Sequence, residues 1–283
     1  MTVEVFDKRA CKLGEGPLWH PLRKQFFWFD ILGKRLMTQV DGQPHHWQFD
    51  EYVSAAGWVD INTLLIASES ELFRFDLETG ARQSLVPLEA DIKHTRSNDG
   101  RADPWGGFWI GTMGINAEVG AGAIYRFYRG ALQKIISPLT ITNSIAFSPD
   151  KAFAYYADTR DHRIMRQPLS PSDGWPVAAP EVFVDLAAEA LNPDGSVVDS
   201  EGCLWNAQWG ANRVARYAPD GHFVSAVTLP AKQTSCPAFG GGNLQTLFVT
   251  TAAIGLAGKE EGLTYRSDVG ISGQEEHQVV LDG

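Results

Sequence analysis

The sequence lacks the features of a disulfide-bonded protein or of a membrane protein. Its 283 residues include three cysteines, Cys11, Cys203 and Cys236, with no C-x-x-C pair, which argues against both a disulfide framework and a zinc ribbon. No run of about 18 apolar residues occurs, and the first residues lack the apolar core of a secretion signal. We therefore expect a reduced, cytoplasmic protein with no membrane partner.

Positive charge and helical periodicity are scarce as well. The formal net charge is −10, and no run of lysine and arginine reaches the density of a nucleic-acid-binding surface, so we expect no nucleic-acid partner. The only candidate helical segment is a short turn around residues 185–191. Hydrophobic residues, in contrast, make up 44% of the chain and aromatic residues 11%, which predicts a folded protein with a substantial core.

A repeated sequence pattern runs through the whole chain. Each copy has a short apolar strand, a turn rich in Pro, Asp or Gly, and then an aromatic-rich strand. The copies begin 40 to 51 residues apart, the range expected for four-stranded propeller blades. The sequence therefore predicts an all-β fold, a single six-bladed β-propeller of antiparallel blades over residues 1–283. Because the ring must close, we expect residues 2–10 to add an outer strand to the last blade.

The first residue of each copy lies just before the predicted inner strand. These six residues are Glu15, Ala55, Asn98, Asn143, Asp194 and Ser235. Inner strands line the central channel of a propeller, so equivalent positions of different blades converge at one end of it. Taken singly, an Asn or Asp here is typical of a turn, as in Asp99-Gly100 and Asp194-Gly195. The shared register of four carboxylate or amide side chains favours a common site.

The chemistry of this set indicates a metal. Two carboxylates and two amide oxygens, without a converging set of Cys or His, favour a hard cation, foremost Ca²⁺, with Mg²⁺, Mn²⁺ and Zn²⁺ as alternatives. Two buried carboxylates that face each other without a cation would repel each other or take up a proton. Charge balance therefore predicts one divalent metal ion in the channel.

Four stretches of the chain closely resemble one known family. They are LGEGPLWH, RSNDGRADPWGGFWIGTM, ITNSIAFSPD and NPDGSVVDSEGCLWNAQWGANRVARY, and the family includes regucalcin (senescence marker protein), gluconolactonases and luciferin-regenerating enzyme. The resemblance implies a propeller whose divalent metal is held by Glu15, Asn143 and Asp194. It implies hydrolysis of an aldono- or aldaro-lactone, with Asp194 as the general base. It also implies that Arg96 and Asn98 contact the substrate.

One segment departs from the family pattern. After Gly-Thr-Met, the relatives often carry a substrate-contacting Glu a few residues on, whereas this chain reads Gly114-Ile115-Asn116-Ala117-Glu118. Asn116 and Glu118 are therefore both candidates for substrate binding. The expected partner is a small sugar lactone, bound by a monomer or a weak homodimer.

The sequence argues against some other functions and leaves several open. No G-x-S-x-G elbow occurs, so a serine hydrolase would lack its nucleophile, and the Gly240–Asn243 run falls between predicted strands as a hairpin turn. His94, near Arg96, is more often an incidental loop residue than a catalytic one. Three alternatives stay open: a calcium-binding regulator without chemistry, a protein-binding scaffold and an organophosphate-ester hydrolase. The recurring Trp28, Trp109 and Trp205 are predicted to pack between blades.

Overall fold

The chain folds into six four-stranded antiparallel sheets arranged as a six-bladed β-propeller. The computed structural model describes residues 2–281. Within that range, the helical segments are two single 3₁₀ turns, Thr159–Asp161 and Ala187–Glu189. The second turn falls in the segment 185–191 where the sequence offered its one helical candidate. Among these residues, no helix has the length and apolar character to cross a membrane.

Each blade contributes one strand to each of four positions between the channel and the outside. The inner strands are β2 (Gly14–His20), β6 (Val53–Trp58), β10 (Thr95–Ala102), β14 (Thr142–Phe147), β18 (Asn192–Val198) and β22 (Thr234–Gly240). The second strands are β3 (Gln25–Asp30), β7 (Thr63–Ser68), β11 (Phe108–Gly114), β15 (Phe153–Asp158), β19 (Leu204–Trp209) and β23 (Thr246–Thr251). The third strands are β4 (Arg35–Val40), β8 (Glu71–Asp76), β12 (Gly122–Tyr128), β16 (Arg163–Pro168), β20 (Arg213–Tyr217) and β24 (Thr264–Asp268). The outer strands are β5 (Gln43–Gln48), β9 (Arg82–Pro87), β13 (Ala131–Leu139), β17 (Glu181–Asp185), β21 (Phe223–Thr228) and β1 (Val3–Asp7).

The ring is closed by the two ends of the chain. β1 pairs antiparallel with β24, with Val3 opposite Ser267 and Val5 opposite Tyr265, so the predicted outer strand within residues 2–10 is confirmed. The inner strand β22 of this last blade also lies beside β2 of the first blade. The pairing gives the edge of β24 a partner that it would otherwise lack.

The core lies between the blades. Because both faces of each second strand are covered by neighbouring blades, these strands read as nearly continuous apolar runs rather than as alternating ones, as in Gln25–Asp30. Trp28, Trp109 and Trp205 are at most 1% exposed in these layers, in agreement with the predicted packing role. Truncation of such a ring typically costs ~3–5 kcal/mol of stability.

The last described residues, 274–281, which we call the tail, run across one end of the channel. The side-chain amide of Gln274 donates to the carbonyl oxygens of Phe147 (3.0 Å) and Val198 (3.1 Å). The backbone N–H of Val279 donates to the carbonyl oxygen of Trp58 at 2.8 Å. These three acceptors are the last residues of β14, β18 and β6. The tail therefore covers the channel end opposite the one where the inner strands begin.

Candidate active site in the central channel

A β-bulge interrupts every inner strand near its start. The register shifts fall between Glu15 and Leu18, Val53 and Ala55, Ser97 and Gly100, Asn143 and Ala146, Pro193 and Ser196, and Thr234 and Cys236. Glu15 and Asn143 are the last paired residues before their bulges, whereas Asn98 and Asp194 lie inside theirs. Bulges change the direction of side chains and recur beside functional sites. In four blades, a β-bulge near the start of the inner strand therefore positions the predicted oxygen-bearing side chain.

In the second blade, the register of the inner strand differs from the prediction. Ser54, and not Ala55, lies in the bulge of β6, so the prediction that placed Ala55 at the common position is wrong by one residue. Side chains alternate between the faces of a strand, and Ala55 accordingly packs into a buried apolar cluster with Leu65 and Phe108. The Ser54 hydroxyl donates instead to the Ser97 hydroxyl of the next blade at 2.8 Å.

Glu15 and Asp194 come together although 179 residues separate them in the chain. They are 5% and 4% exposed, and each carboxyl group acts on the pKa of the other. Burial, with added repulsion from Asp99, raises the pKa of Glu15 to about 8. Burial and then the Glu15 charge raise the pKa of Asp194 well above its usual range. The pair therefore holds a proton at neutral pH unless positive charge is placed beside it.

Asn143 and Asn98 adjoin each other in neighbouring blades. The Nδ2 atom of Asn98 donates to the Oδ1 atom of Asn143 at 3.1 Å and to the carbonyl oxygen of Thr142 at 2.8 Å. The Nδ2 atom of Asn143 donates to the Thr159 hydroxyl at 2.8 Å, and that hydroxyl donates to the carbonyl oxygen of Pro193 at 2.7 Å. These bonds fix the orientation of the Asn143 amide and tie it to the residue before Asp194.

Arg96 brings a positive charge into this cluster. It is 6% exposed, and its Nη1 atom donates to the carbonyl oxygen of Ser97 and to the Oδ1 atom of Asn98, both at 2.8 Å. Burial lowers the pKa of Arg96 to about 10, against the opposing attraction of Glu15 and other acidic groups. The guanidinium group therefore stays charged at neutral pH beside buried polar side chains.

Asp99 is a further acidic residue of the site that the sequence interpretation missed. The Asp99-Gly100 pair is typical of a turn, but both residues belong to β10, and Asp99 is 3% exposed. Its Oδ2 atom accepts a hydrogen bond from the backbone N–H of Ile145 at 2.7 Å. Burial raises the pKa of Asp99. The available signal was its position beside Asn98 at the start of an inner strand.

The other two predicted substrate residues lie outside this buried cluster. Asn116 and Glu118 are on the loop after β11, where Asn116 is exposed and Glu118 half-buried. The backbone N–H and the side-chain amide of Asn116 donate to the Glu118 carboxylate at 3.1 and 3.0 Å. Hydrogen bonds from its own backbone and from Asn116 lower the pKa of Glu118. The pair stabilises its loop, and its contact with substrate stays a prediction.

A second acidic group, formed by Asp199, Glu201 and Cys203, lies at a hairpin turn. The Oδ1 atom of Asp199 accepts from the backbone N–H groups of Glu201 and Cys203, both at 2.9 Å. Its Oδ2 atom accepts from the Trp205 indole at 2.8 Å and from Arg216 at 2.9 Å. Both carboxylate oxygens are thus occupied by donors, so this group is better explained as the support of a turn than as a metal site.

Comparison with known proteins connects this chain to a family. Residues 13–253 match the model described as the SMP-30/Gluconolactonase/LRE-like region. The chain belongs to this family. The matched range contains all seven residues that the sequence nominated for the site, from Glu15 to Asp194.

Similar members of the family have been solved or named. The crystal structure of a calcium-binding protein, regucalcin, from Agrobacterium tumefaciens is 38% identical, with a TM-score of 0.96 over 99% of this chain and 98% of that one. The L-arabinolactonase of Azospirillum brasilense is 37% identical over 87% of this chain and 82% of its own length. The 6-deoxy-6-sulfogluconolactonase of Pseudomonas putida is 32% identical over 89% and 87%.

Proposed function

We propose that this protein is a metal-dependent lactonase that hydrolyses a sugar lactone to the corresponding acid. The observation that carries the proposal is the buried Glu15–Asp194 carboxyl pair, which shares one cluster with Asn143, Asn98 and Arg96. Two relatives that are 37% and 32% identical bear the names of sugar lactonases, which supports the same reaction class.

The residues of the cluster fit a divalent cation. Glu15, Asn143 and Asp194 offer hard oxygen atoms of the kind that Ca²⁺ prefers and that Mg²⁺, Mn²⁺ and Zn²⁺ accept. The raised pKa of Glu15 and of Asp194 indicates that Arg96 compensates the carboxyl pair only in part, and two further positive charges beside it would leave both groups ionised at neutral pH. When bound, such a cation supplies Lewis acidity to the carbonyl group of the lactone.

The protein's own chemistry centres on Asp194. Asp194 accepts a proton from a water molecule as the water oxygen adds to the carbonyl carbon of the lactone. The ring C–O bond then breaks, and Asp194 returns the proton to the departing ring oxygen. The product is a hydroxy acid, so atoms and charge balance without any further reactant.

Arg96 and Asn98 position the substrate. The guanidinium group of Arg96 remains protonated at neutral pH, and its donors suit the hydroxyl and carbonyl oxygens of a sugar lactone. Its bond to Asn98 holds the two side chains in one orientation. A regulator that only bound calcium would have no use for a buried, charged arginine beside its metal, and this favours an enzyme.

The proposal is tested with a panel of neutral aldonolactones and anionic aldarolactones, each assayed by acid release. We expect turnover that stops with a chelator and returns when Ca²⁺, Mg²⁺, Mn²⁺ or Zn²⁺ is supplied. Asp194→Asn should abolish turnover and leave the fold intact by circular dichroism. Glu201→Gln, at an exposed carboxylate of the turn group, is the matched control and should retain full activity.

Two results would contradict the scheme. An Asp194→Asn protein that binds metal and still hydrolyses lactones would remove the general base. A wild-type protein that hydrolyses none of the panel with any of the four metals would rule out the lactonase itself.

A further inference from the structure

We propose that Arg101 is a positioning residue, anchored by the tail, that fixes the spacing between Asn143 and Asp194. The inference rests on the proposed function to the extent that these two residues are taken as metal ligands. Arg101 follows the bulge of β10 in the third blade, and it lies on the tail side of the ligand cluster.

The side chain of Arg101 joins three different segments. Its Nε atom donates to the carbonyl oxygen of Ile145 at 3.1 Å, and its Nη2 atom donates to the carbonyl oxygen of Ser196 at 3.1 Å. Its Nη1 atom pairs with the carboxylate of Glu276 in the tail. Ile145 lies two residues after Asn143, and Ser196 lies two residues after Asp194. One guanidinium group therefore connects the backbones that carry two ligands in different blades.

Two side chains of the third blade hydrogen-bond to the backbone N–H and to the carbonyl oxygen of Ile145. Asp99 accepts from the N–H of Ile145 at 2.7 Å, while Arg101 donates to its carbonyl oxygen. Ser144, which lies between Asn143 and Ile145, has a φ of 61°. This left-handed conformation is unfavourable for residues other than glycine. Such a conformation persists only where its surroundings enforce it. Asp99 and Arg101 are among the groups that enforce it.

The fourth and fifth blades are joined at the same level. The Nδ2 atom of Asn206 donates both to the Ser144 hydroxyl and to the carbonyl oxygen of Asp194, each at 3.1 Å. The Ser144 hydroxyl donates to that carbonyl oxygen as well. A shift of the segment after Asn143 is thereby transmitted to Asp194, so a bond from Arg101 to either segment acts on both ligands.

The tail gives this arginine a fixed anchor. The carbonyl oxygen of Glu276 accepts from the Trp58 indole at 2.8 Å, and the Gln274 amide is bonded to the ends of two inner strands. The cavity between Arg101 and the tail measures ≈ 20 Å³, about the room that one water molecule needs. Lysine cannot replace the planar, multidentate donor set of arginine at such a site.

The test compares metal binding by metal-stripped variants, measured by calorimetry with Ca²⁺ and with Mn²⁺. Residues that orient metal ligands from outside typically change metal affinity or activity by about 10–100-fold, and we expect a loss in this range for Arg101→Met. Arg101→Lys should recover only part of it, and Glu276→Gln should show a smaller loss. In lactone assays, kcat should fall while KM stays within about twofold.

Arg216→Met is the matched control. Arg216 is equally buried, with its side chain 10% exposed like that of Arg101, and it pairs with Asp199 away from the ligand cluster. The control should lose thermal stability but keep the metal affinity of the wild type.

Equal metal affinity of Arg101→Met and the wild type would overturn the proposal, as would an equal loss in Arg216→Met. If Arg101→Met does not fold, unchanged affinity in both Arg101→Lys and Glu276→Gln would overturn it. Absence of lactone turnover in the wild type, together with a metal affinity that depends on Arg101, would contradict the proposed function and leave the positioning role standing.

Discussion

Two kinds of buried carboxylate occur in this propeller, and they differ in their partners. Asp103 in the third blade accepts from the backbone N–H groups of Trp105 (2.9 Å) and Gly107 (3.0 Å) and from Arg126 at 2.7 Å. Asp199 in the fifth blade is bonded in the same way and pairs with Arg216. In the channel, Glu15 accepts one backbone N–H, from Gly16 at 3.1 Å, and faces a second carboxyl group.

This difference in partners indicates which buried acidic residues of the chain are candidates for function. Burial alone does not distinguish them, because Asp103 and Asp199 are 0% exposed and Glu15 is 5% exposed. The distinguishing property is the raised pKa of both groups of the Glu15–Asp194 pair, whose burial and mutual repulsion Arg96 offsets only in part. The substitutions below test this distinction from its largest expected consequence to its smallest.

Glu15→Gln should have the largest effect, a loss of lactone turnover of about 10³-fold, equivalent to about 4 kcal/mol. The change removes the charge of one proposed metal ligand and leaves the volume of the side chain nearly unchanged. In the metal-free protein, the same change should raise the midpoint of thermal unfolding, because it relieves repulsion within the carboxyl pair. Calorimetric metal titration and a melting curve test both effects, and wild-type metal affinity in the variant would exclude Glu15 as a ligand.

Asp103→Asn should show the opposite pattern. It leaves the buried Arg126 without its counter-charge, and breaking a buried ion pair typically costs ~3–5 kcal/mol. Urea unfolding should show this loss of stability, while metal affinity stays at the wild-type value because Asp103 lies outside the ligand cluster. A variant with normal stability but weakened metal binding would contradict the distinction drawn above.

The stability of the metal-free protein should fall as the pH rises between 4.5 and about 8, the ordinary and the raised pKa of Glu15. In this interval the unfolded chain has released the proton of this glutamate and the folded chain retains it, so each rise in pH favours unfolding. Melting curves with chelator should show the decline, and Glu15→Gln should reduce it. An equal pH dependence in the variant would assign the decline to other groups.

Glu118→Gln should have the smallest effect, a rise in KM of a few-fold, in line with the loss of about 1 kcal/mol from one partly exposed hydrogen bond. The kcat value should not change, because Glu118 lies outside the buried cluster. Steady-state kinetics on several lactones test this expectation, with Asn116→Ala as the companion variant. An unchanged KM for every lactone would remove Glu118 from the substrate site.

The sequence was sufficient for the architecture of the molecule. The repeated sequence pattern, with its turns rich in Pro, Asp or Gly, predicts the blades, and the need to close a ring predicts the pairing of β1 with β24. These features follow from local patterns of apolar residues and turns. The convergence of Glu15, Asn98, Asn143 and Asp194 followed from the same symmetry.

The sequence was insufficient where geometry depends on bulges and on distant segments. A bulge shifts the register by one residue without a reliable local signature. The repeat therefore predicts Ala55 at the position that Ser54 occupies, and the Asp99-Gly100 pair predicts a turn where the structure has a strand. The contact of Arg101 with Glu276 joins residues 175 positions apart. Nothing in the pattern of either segment indicates that they meet.

The position of the tail determines from which side a small molecule can reach the centre of the ring. Because the tail lies across one end of the channel, a small molecule that reaches the site should enter and leave at the opposite end. In the proposed reaction, the acid product and the next lactone would therefore use the same entrance.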